Sequence, residues 1–457
     1  MGRILVEMPG IKEPDRVRKL LQGSANLEFW ETYDGNIIIP YLSQIDAKLA
    51  TSGNTSAKAD TAKTEPAAEE VAADTAKVEK NANVNAAAAL KNLEAELKNY
   101  GKNVLLVYGK NSIKKIGLYD EVIKMLKKCG KNVVELAGIN ANPRYSQVLE
   151  GARLVRENDV DLILAVGGGS VIDCSKAISV SAYAKGDPWK RYWIDFEPVD
   201  NKLVPVGAIL TMTGTASEMN GGSVITNEDE KIKTGRVFDA SVYPKFSILN
   251  PEYTYSVPER QMVSGIFDIF SHLMEQYFSG DDDNTTDYVI EGVIKSLIKS
   301  ARAAKKDPRN YEARSNIMWC ATLGLNTVTG VSKTQDWEVH MIEHQLGAYT
   351  DCPHGLGLAV ISVPYYRYIY KYGLDKFVRY AENVWGVDAT GKTKEEVALQ
   401  GIDKLAEFIK EMGIPTTLRE LGATEEMLPL IAKTTVKGGG YKQMDESDIL
   451  TVLKACY

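Results

Sequence analysis

Residues 161–178 read DLILAVGGGSVIDCSKAI. The run Leu162–Val166 is continuous apolar sequence of strand length, and it ends in three glycines followed by a second apolar segment. This is the pattern of a buried strand turning sharply into a helix. Gly167, Gly168 and Gly169 let backbone N–H groups come close to a phosphate at the helix N-terminus, and Ser170 can add a hydroxyl. The spacing is not that of the G-x-G-x-x-G turn, and three glycines also serve a plain tight bend.

Working outward from this stretch, helical and extended patterns alternate. LKNLEAELKNYG (90–101) puts Leu90, Leu93 and Leu97 on one helical face, and NVLLVYG (103–109) reads as a strand. A helix over YDEVIKMLKKCG (119–130), a strand over NVVELAGI (132–139) and a helix over SQVLEGARLVREN (146–158) lead back to Asp161. A βαβαβ series predicts a parallel sheet covered by helices on its faces. After the strand VPVGAIL (204–210), the stretch LTMTGTASEMNGGSVIT (210–226) is expected to be a hydroxyl-rich loop carrying Thr211 and Thr215. Two phosphate-suited loops after parallel strands mark a ligand site at the strand carboxyl ends. Beyond Pro251 the periodic stretches, from RQMVSGIFDIFSHLMEQYF (260–278) to DILTVLKACY (448–457), are helical, so a second, all-α domain is expected.

The chain has 457 residues, 44% of them apolar and 25% charged, enough to bury a large core. A formal net charge of −7 leaves no global attraction to nucleic acid or anionic lipid. No apolar run reaches membrane-spanning length, and five scattered cysteines without a C-x-x-C pair fit free thiols, so a cytoplasmic protein with no membrane insertion is expected. The front differs in composition. Residues 51–89 are rich in alanine and lack aromatic residues, which reads as a linker. Before it, RILVEMPGI, EPDRVRKLLQGS and NLEFWETY read as strand, helix and strand.

Imidazole is scarce here, and its placement is informative. Three of the four histidines, His340, His344 and His354, fall in DWEVHMIEHQLGAYTDCPHG (336–355), and the fourth, His272, follows Asp268 by one helical turn. An Asp–His pair at this spacing also occurs as a simple hydrogen-bonded pair. Four imidazoles and a carboxylate, with no cysteine at matching spacing, form an N/O ligand set suited to a divalent transition metal in an open catalytic site.

The segments VYGKNSIKKIGLYDEV, NANPR, LAVGGGSVIDCSKAI, TGTASEMN and PEYT, together with the Asp268/His272 pair and the histidine array, resemble the iron-containing alcohol dehydrogenases of the butanol dehydrogenase branch, over Leu90–Tyr457. Residues 1–50 resemble a fragment of a SecD-type protein-export subunit. The resemblance implies a dehydroquinate synthase-like α/β architecture. Its parts are a parallel-sheet NAD(P)-binding domain (90–250), an all-helical metal-binding domain (251–457) and an appended segment (1–50) joined by the linker (51–89). It implies that Asp268, His272, His340 and His354 hold the metal, with His344 beside the nicotinamide. It further implies cofactor contacts at Gly109, Ser112, Asn142, Gly167, Gly168, Gly169, Ser170, Asp173, Thr211, Thr215 and Lys233.

Fe2+ is the implied ion, with Zn2+ as the competitor that divalent affinity trends favour. The implied activity is hydride transfer between NAD(P)H and a short-chain aldehyde or alcohol, in a homodimer. Glycerol-type polyol dehydrogenases and dehydroquinate synthase-type cyclases share the architecture. A non-enzymatic fusion recruited through the SecD-like segment is the reading from another class. The family's usual opening strand pair is missing, so an open sheet edge is expected. Position 109, where a carboxylate would favour NAD by repelling a 2′-phosphate, is glycine and is followed by Lys110, Asn111, Ser112, Lys114 and Lys115. NADP(H) is therefore expected in preference to NAD(H).

Overall fold

The computed structural model describes residues 90, 92–280 and 284–457. The readings of residues 1–50 and 51–89 lie outside the described residues.

Five parallel strands form the central sheet in the order β2-β1-β3-β4-β7. They are β1 (Asn103–Tyr108), β2 (Asn132–Leu136), β3 (Leu162–Gly167), β4 (Val206–Leu210) and β7 (Phe246–Leu249). Every residue of β3 is buried, as a strand covered on both faces must be. Alternate residues feed two cores. Leu105, Val107, Ile163 and Ala165 pack against helices α3 (Tyr145–Glu157) and α4 (Gly169–Ser181). Val104, Leu106, Leu162 and Leu164 pack against Leu93 and Leu97 and against helix α2 (Leu118–Lys128), which follows the short α1 (Ser112–Lys115). The 3.6-residue spacing of Leu118, Val122 and Leu126 is what lets α2 lie flat on that face.

One expectation needs correcting. The stretch 210–226 is a loop only as far as Gly221; Gly222–Asn227 is strand β5, paired antiparallel with β6 (Ile232–Val237). The β-branched runs SVIT and IKTGRV flank a polar turn, NEDEK, and such flanking favours a hairpin over an irregular loop.

From Pro251 onward, long helices surround a separate core. The helix α5 (Glu259–Tyr277) is buried from Met262 to its end. Gly265 makes its close approach to the sheet loops feasible, since a Cβ there would overlap the Thr213 carbonyl. After α6 (Thr285–Lys306) and α7 (Tyr311–Gly324) come α8 (Glu338–Thr350) and α9 (His354–Ile369), which pack on each other and carry the histidine array. No helix among the described residues is long and apolar enough to cross a membrane.

Candidate active site

The carboxyl ends of β1, β3 and β4 deliver Gly109, the glycine triplet and Thr211 to one cleft of about 630 Å³. Its floor is backbone. A Cβ at Gly167 would overlap Val171, one at Gly168 would come within 3.1 Å of Met212, and one at Gly169 would overlap Thr215. Only glycine leaves the first turn of α4 open at the cleft, and the leading N–H groups of a helix lack partners within it. Ser170 ties this loop to its neighbour by donating to the Ala141 carbonyl. Asn142 donates to Asp351 at 2.7 Å, joining the sheet side to the α8–α9 connection.

Of the expected cofactor residues, Gly109, Ser112, Asn142, Gly167, Gly168, Gly169, Ser170, Thr211 and Thr215 line this cleft. Asp173 and Lys233 do not. Asp173, in α4, is buried on the side of the second cavity and accepts from Ser217 Oγ and from the Val224 N–H at 3.0 Å. Lys233 points from β6 toward the helices, 3.1 Å from Glu343. Lys110 and Ser112 face the cleft, while the Lys114 ammonium lies 4.7 Å from the Tyr119 ring centroid, over its face.

A second cavity of about 300 Å³ lies between the β5–β6 hairpin and the helices, lined in part by Val224, Leu325, Trp337 and Met341. At its end Asp268 is surrounded by imidazoles. Its Oδ1 is 3.3 Å from His272 Nε2, 3.6 Å from His354 Nε2 and 3.7 Å from His340 Nε2. Asp268 and His272 come from one face of α5, His340 from α8 and His354 from the first turn of α9. Trp337, in left-handed backbone conformation with φ 66°, sets its ring edge-on to His340 and starts α8 at the required angle.

Three observations bear on whether these residues suit a metal ion. Asp268 Oδ1 and His340 Nε2 are buried without a hydrogen-bond partner among the described residues, an arrangement that is costly unless something else satisfies them. One ligand atom from each of Asp268, His340 and His354 lies within 4.8 Å of the others, and His272 joins them through Asp268. Ligands held about 2.1 Å from one tetrahedral ion stand roughly 3.4 Å apart, close to the distances from Asp268 Oδ1 to the three imidazole nitrogens. The donor set, nitrogen and carboxylate oxygen, suits a first-row divalent ion.

Electrostatics agree. Burial opposes ionisation of Asp268, but His272, His340 and His354 outweigh it and hold its carboxyl well below the usual range. Burial pushes His272 down to about 4, so it keeps a lone pair at neutral pH. Burial also opposes a charge on His340, yet Glu275 and Asp268 prevail and raise it to about 10, the mark of a site that attracts positive charge. His344 is different. Its ring centroid is 5.6 Å from that of His354, it has no hydrogen-bond partner among the described residues, and burial followed by Lys233 keeps it neutral.

Sequence reasoning missed Glu275 and Glu343. Glu275 accepts from His340 Nδ1 and Glu343 from His354 Nδ1. The signal was present for one of them, because Asp268, His272 and Glu275 follow the i, i+4, i+7 spacing of a single helical face.

The family description "Iron-containing alcohol dehydrogenase" matches residues 81–251, and "Fe-containing alcohol dehydrogenase family, C-terminal" matches residues 262–457. The chain belongs to the iron-containing alcohol dehydrogenase family. It is 42% identical over 367 residues to the probable NADH-dependent butanol dehydrogenase 1 of Bacillus subtilis, covering 79% of this chain and 94% of that one. It is 35% identical to the NADPH-dependent aldehyde reductase YqhD of Escherichia coli, over 76% and 89% of the two chains. The crystal structure of NADH-dependent butanol dehydrogenase A from Thermotoga maritima superposes with a TM-score of 0.76 at 35% identity, over 79% of this chain and 93% of the other. Separately, residues 1–34 match "Protein translocase subunit SecDF, P1 domain, N-terminal".

Proposed function

We propose that the chain reduces short-chain aldehydes, and oxidises the corresponding alcohols, with a nicotinamide cofactor in the sheet-side cleft and a divalent metal held by Asp268, His272, His340 and His354. The observation that carries this reading is that the two cavities share a wall. Ala141, Asn142, Ser170, Thr215, Asp268 and His354 line both, so a cofactor in one meets a substrate in the other beside the ligand cluster. When bound, the ion supplies Lewis acidity at the substrate oxygen, and the nicotinamide gives or takes the hydride.

The protein's own residues do the rest. Glycine backbone and the N-terminus of α4 bind the cofactor phosphates, with Ser170, Thr211 and Thr215 as hydroxyl contacts. The apolar wall of Leu325, Trp337 and Met341 excludes water and limits the substrate to a short chain. His344, neutral and without a hydrogen-bond partner among the described residues, orients the substrate or holds a proton at a ring nitrogen. Iron is the family's ion, and zinc competes for such a site.

Preference for NADP(H) over NAD(H) is part of the proposal, supported by the absence of a carboxylate at Gly109 and by Lys110 and Ser112 in the cleft wall. Four relatives at 39–42% identity are named as NADH-dependent and one at 35% as NADPH-dependent, so these residues, and not overall similarity, carry the argument. We also propose a homodimer in the cytoplasm, the location supported by five free cysteines. Residues 90–250 would be the cofactor domain and 251–457 the metal domain, with 51–89 a linker from the SecD-like piece.

The test is aldehyde-dependent oxidation of NADPH and NADH by the purified full chain, with butanal as the first substrate and metal content measured on the same sample. Turnover proportional to bound metal is expected. A metal-replete preparation that oxidises neither cofactor with any short-chain aldehyde would overturn the proposal.

A further inference from the structure

Two of the four imidazoles have their second nitrogen on a buried glutamate. His340 Nδ1 meets Glu275 and His354 Nδ1 meets Glu343, and neither carboxylate has any solvent exposure. A carboxylate only accepts, so each holds the imidazole proton at Nδ1 and leaves Nε2, the nitrogen directed at Asp268, as the one available to an ion. His344 makes no hydrogen bond to a glutamate among the described residues, although its ring lies near Glu343 and His354.

The two glutamates are not equivalent. Glu275 accepts from Ser271 Oγ at 2.8 Å and from the His340 N–H at 3.1 Å, with no lysine or arginine paired to it among the described residues. Glu343 is neutralised by Lys233 Nζ at 3.1 Å, and Lys233 stands on β6, in the hairpin that walls the second cavity. The packing is specific to this pair: a Cβ at Gly347 would come within 3.1 Å of Lys233 Nζ, and one at Gly357 within 2.7 Å of Glu343 Cγ. The hairpin therefore supplies the counter-charge for a glutamate that aims a histidine on the helical side.

We infer that Glu343 is a positioning residue for the metal: it orients His354 through Nδ1, with Lys233 of the β5–β6 hairpin as its counter-charge. This rests on the metal reading above. Removing the carboxylate frees the His354 ring to rotate and lowers the basicity of its Nε2, without touching any proposed ligand.

The test uses the full chain stripped of metal and titrated with Co2+, followed by the visible absorption spectrum and by thermal melting of the metal-free form. Glu343→Gln alone strands a buried lysine charge and is expected to melt early. The double variant Lys233→Met, Glu343→Gln removes both charges and is expected to recover most of that loss. It should nevertheless bind Co2+ roughly 10- to 100-fold more weakly, with a shifted spectrum. Lys233→Met alone strands the Glu343 charge and is also expected to melt early, but it keeps the carboxylate on His354 and should bind Co2+ within a few-fold of the parent. Parental Co2+ affinity and spectrum in the double variant would overturn the inference and leave the pair as a staple between hairpin and helices. His272→Ala separates this failure from that of the metal reading. If His272→Ala loses Co2+ while the double variant does not, only the role of Glu343 falls; if neither loses it, the metal reading falls as well.

Discussion

The two cavities that meet at Asp268 are built in opposite ways. The cofactor cleft is made by removing side chains: three glycines at the end of β3 strip the wall to backbone, and its binding power lies in N–H groups that any sequence possesses. The metal pocket is made by burying charge, with Asp268, Glu275, Glu343 and Lys233 all shielded from water and each in need of a partner. The first kind of site fails by steric collision, and the second fails when one charge loses its partner. Substitutions should therefore damage the two cavities through different observables.

The largest effect is expected in the charged pocket. His272→Ala removes one neighbour of Asp268 and leaves its carboxylate less compensated, so bound metal should fall to a small fraction and kcat/KM by on the order of a thousandfold. His344→Ala should keep the metal and lower kcat by about 100-fold, the range of a lost proton-handling group. Elemental analysis with steady-state kinetics reads both. Stoichiometric metal in His272→Ala would show that the pocket does not work as a ligand set.

The backbone-built cleft should break differently. A methyl group on Gly169 collides with the Thr215 side chain, which lines both cavities. Gly169→Ala should therefore displace the Thr215 loop by a fraction of an ångström to about one ångström. The expected cost is roughly 10- to 100-fold in kcat/KM, mainly through KM for the nicotinamide cofactor, with metal content unchanged. Loss of metal in this variant would mean that the two cavities are one cooperative unit, and the contrast drawn above would fail.

The same contrast explains what could be read from the sequence. Strands such as LILAVG announce themselves because burial on both faces demands unbroken apolar sequence, and glycine triplets announce themselves because nothing else fits. The scarce histidines were visible for the opposite reason, as rare chemistry concentrated in space. Glu275 and Glu343 were hidden because glutamate is abundant and usually solvated, and only the fold reveals that these two are buried against imidazoles. The β5–β6 hairpin was hidden because its first strand follows directly on a hydroxyl-rich turn, with Gly221 and Gly222 resembling more loop. Lys233 was legible as a residue of interest, but its ion pair with a glutamate 110 positions away depends on tertiary placement that no local pattern carries.

The smallest expected effect sharpens the comparison, because it introduces a negative charge into the cleft whose floor is glycine backbone. Gly109 directly follows β1, and a Cβ there would meet only the Ile139 carbonyl, at 3.7 Å, so an added side chain finds room. Its φ lies outside the left-handed region, so a non-glycine residue adopts the same backbone without strain. An aspartate at this position would accept from the ribose 2′-hydroxyl of NADH and would repel a 2′-phosphate held near Lys110 and Ser112. Repulsion between like charges at about 4 Å and a surface-like dielectric is worth a few kcal/mol before screening by salt. Part of that is lost to solvent at the cleft mouth, and Gly109→Asp is expected to shift the ratio of kcat/KM for NADPH over NADH by about tenfold toward NADH. Metal content and aldehyde KM should not move. An unmodified enzyme that already favours NADH would show that Lys110 and Ser112 do not hold a 2′-phosphate. A variant whose ratio is unchanged would place the adenosine ribose away from the end of β1, and the cleft would then bind its cofactor through the glycine loops alone.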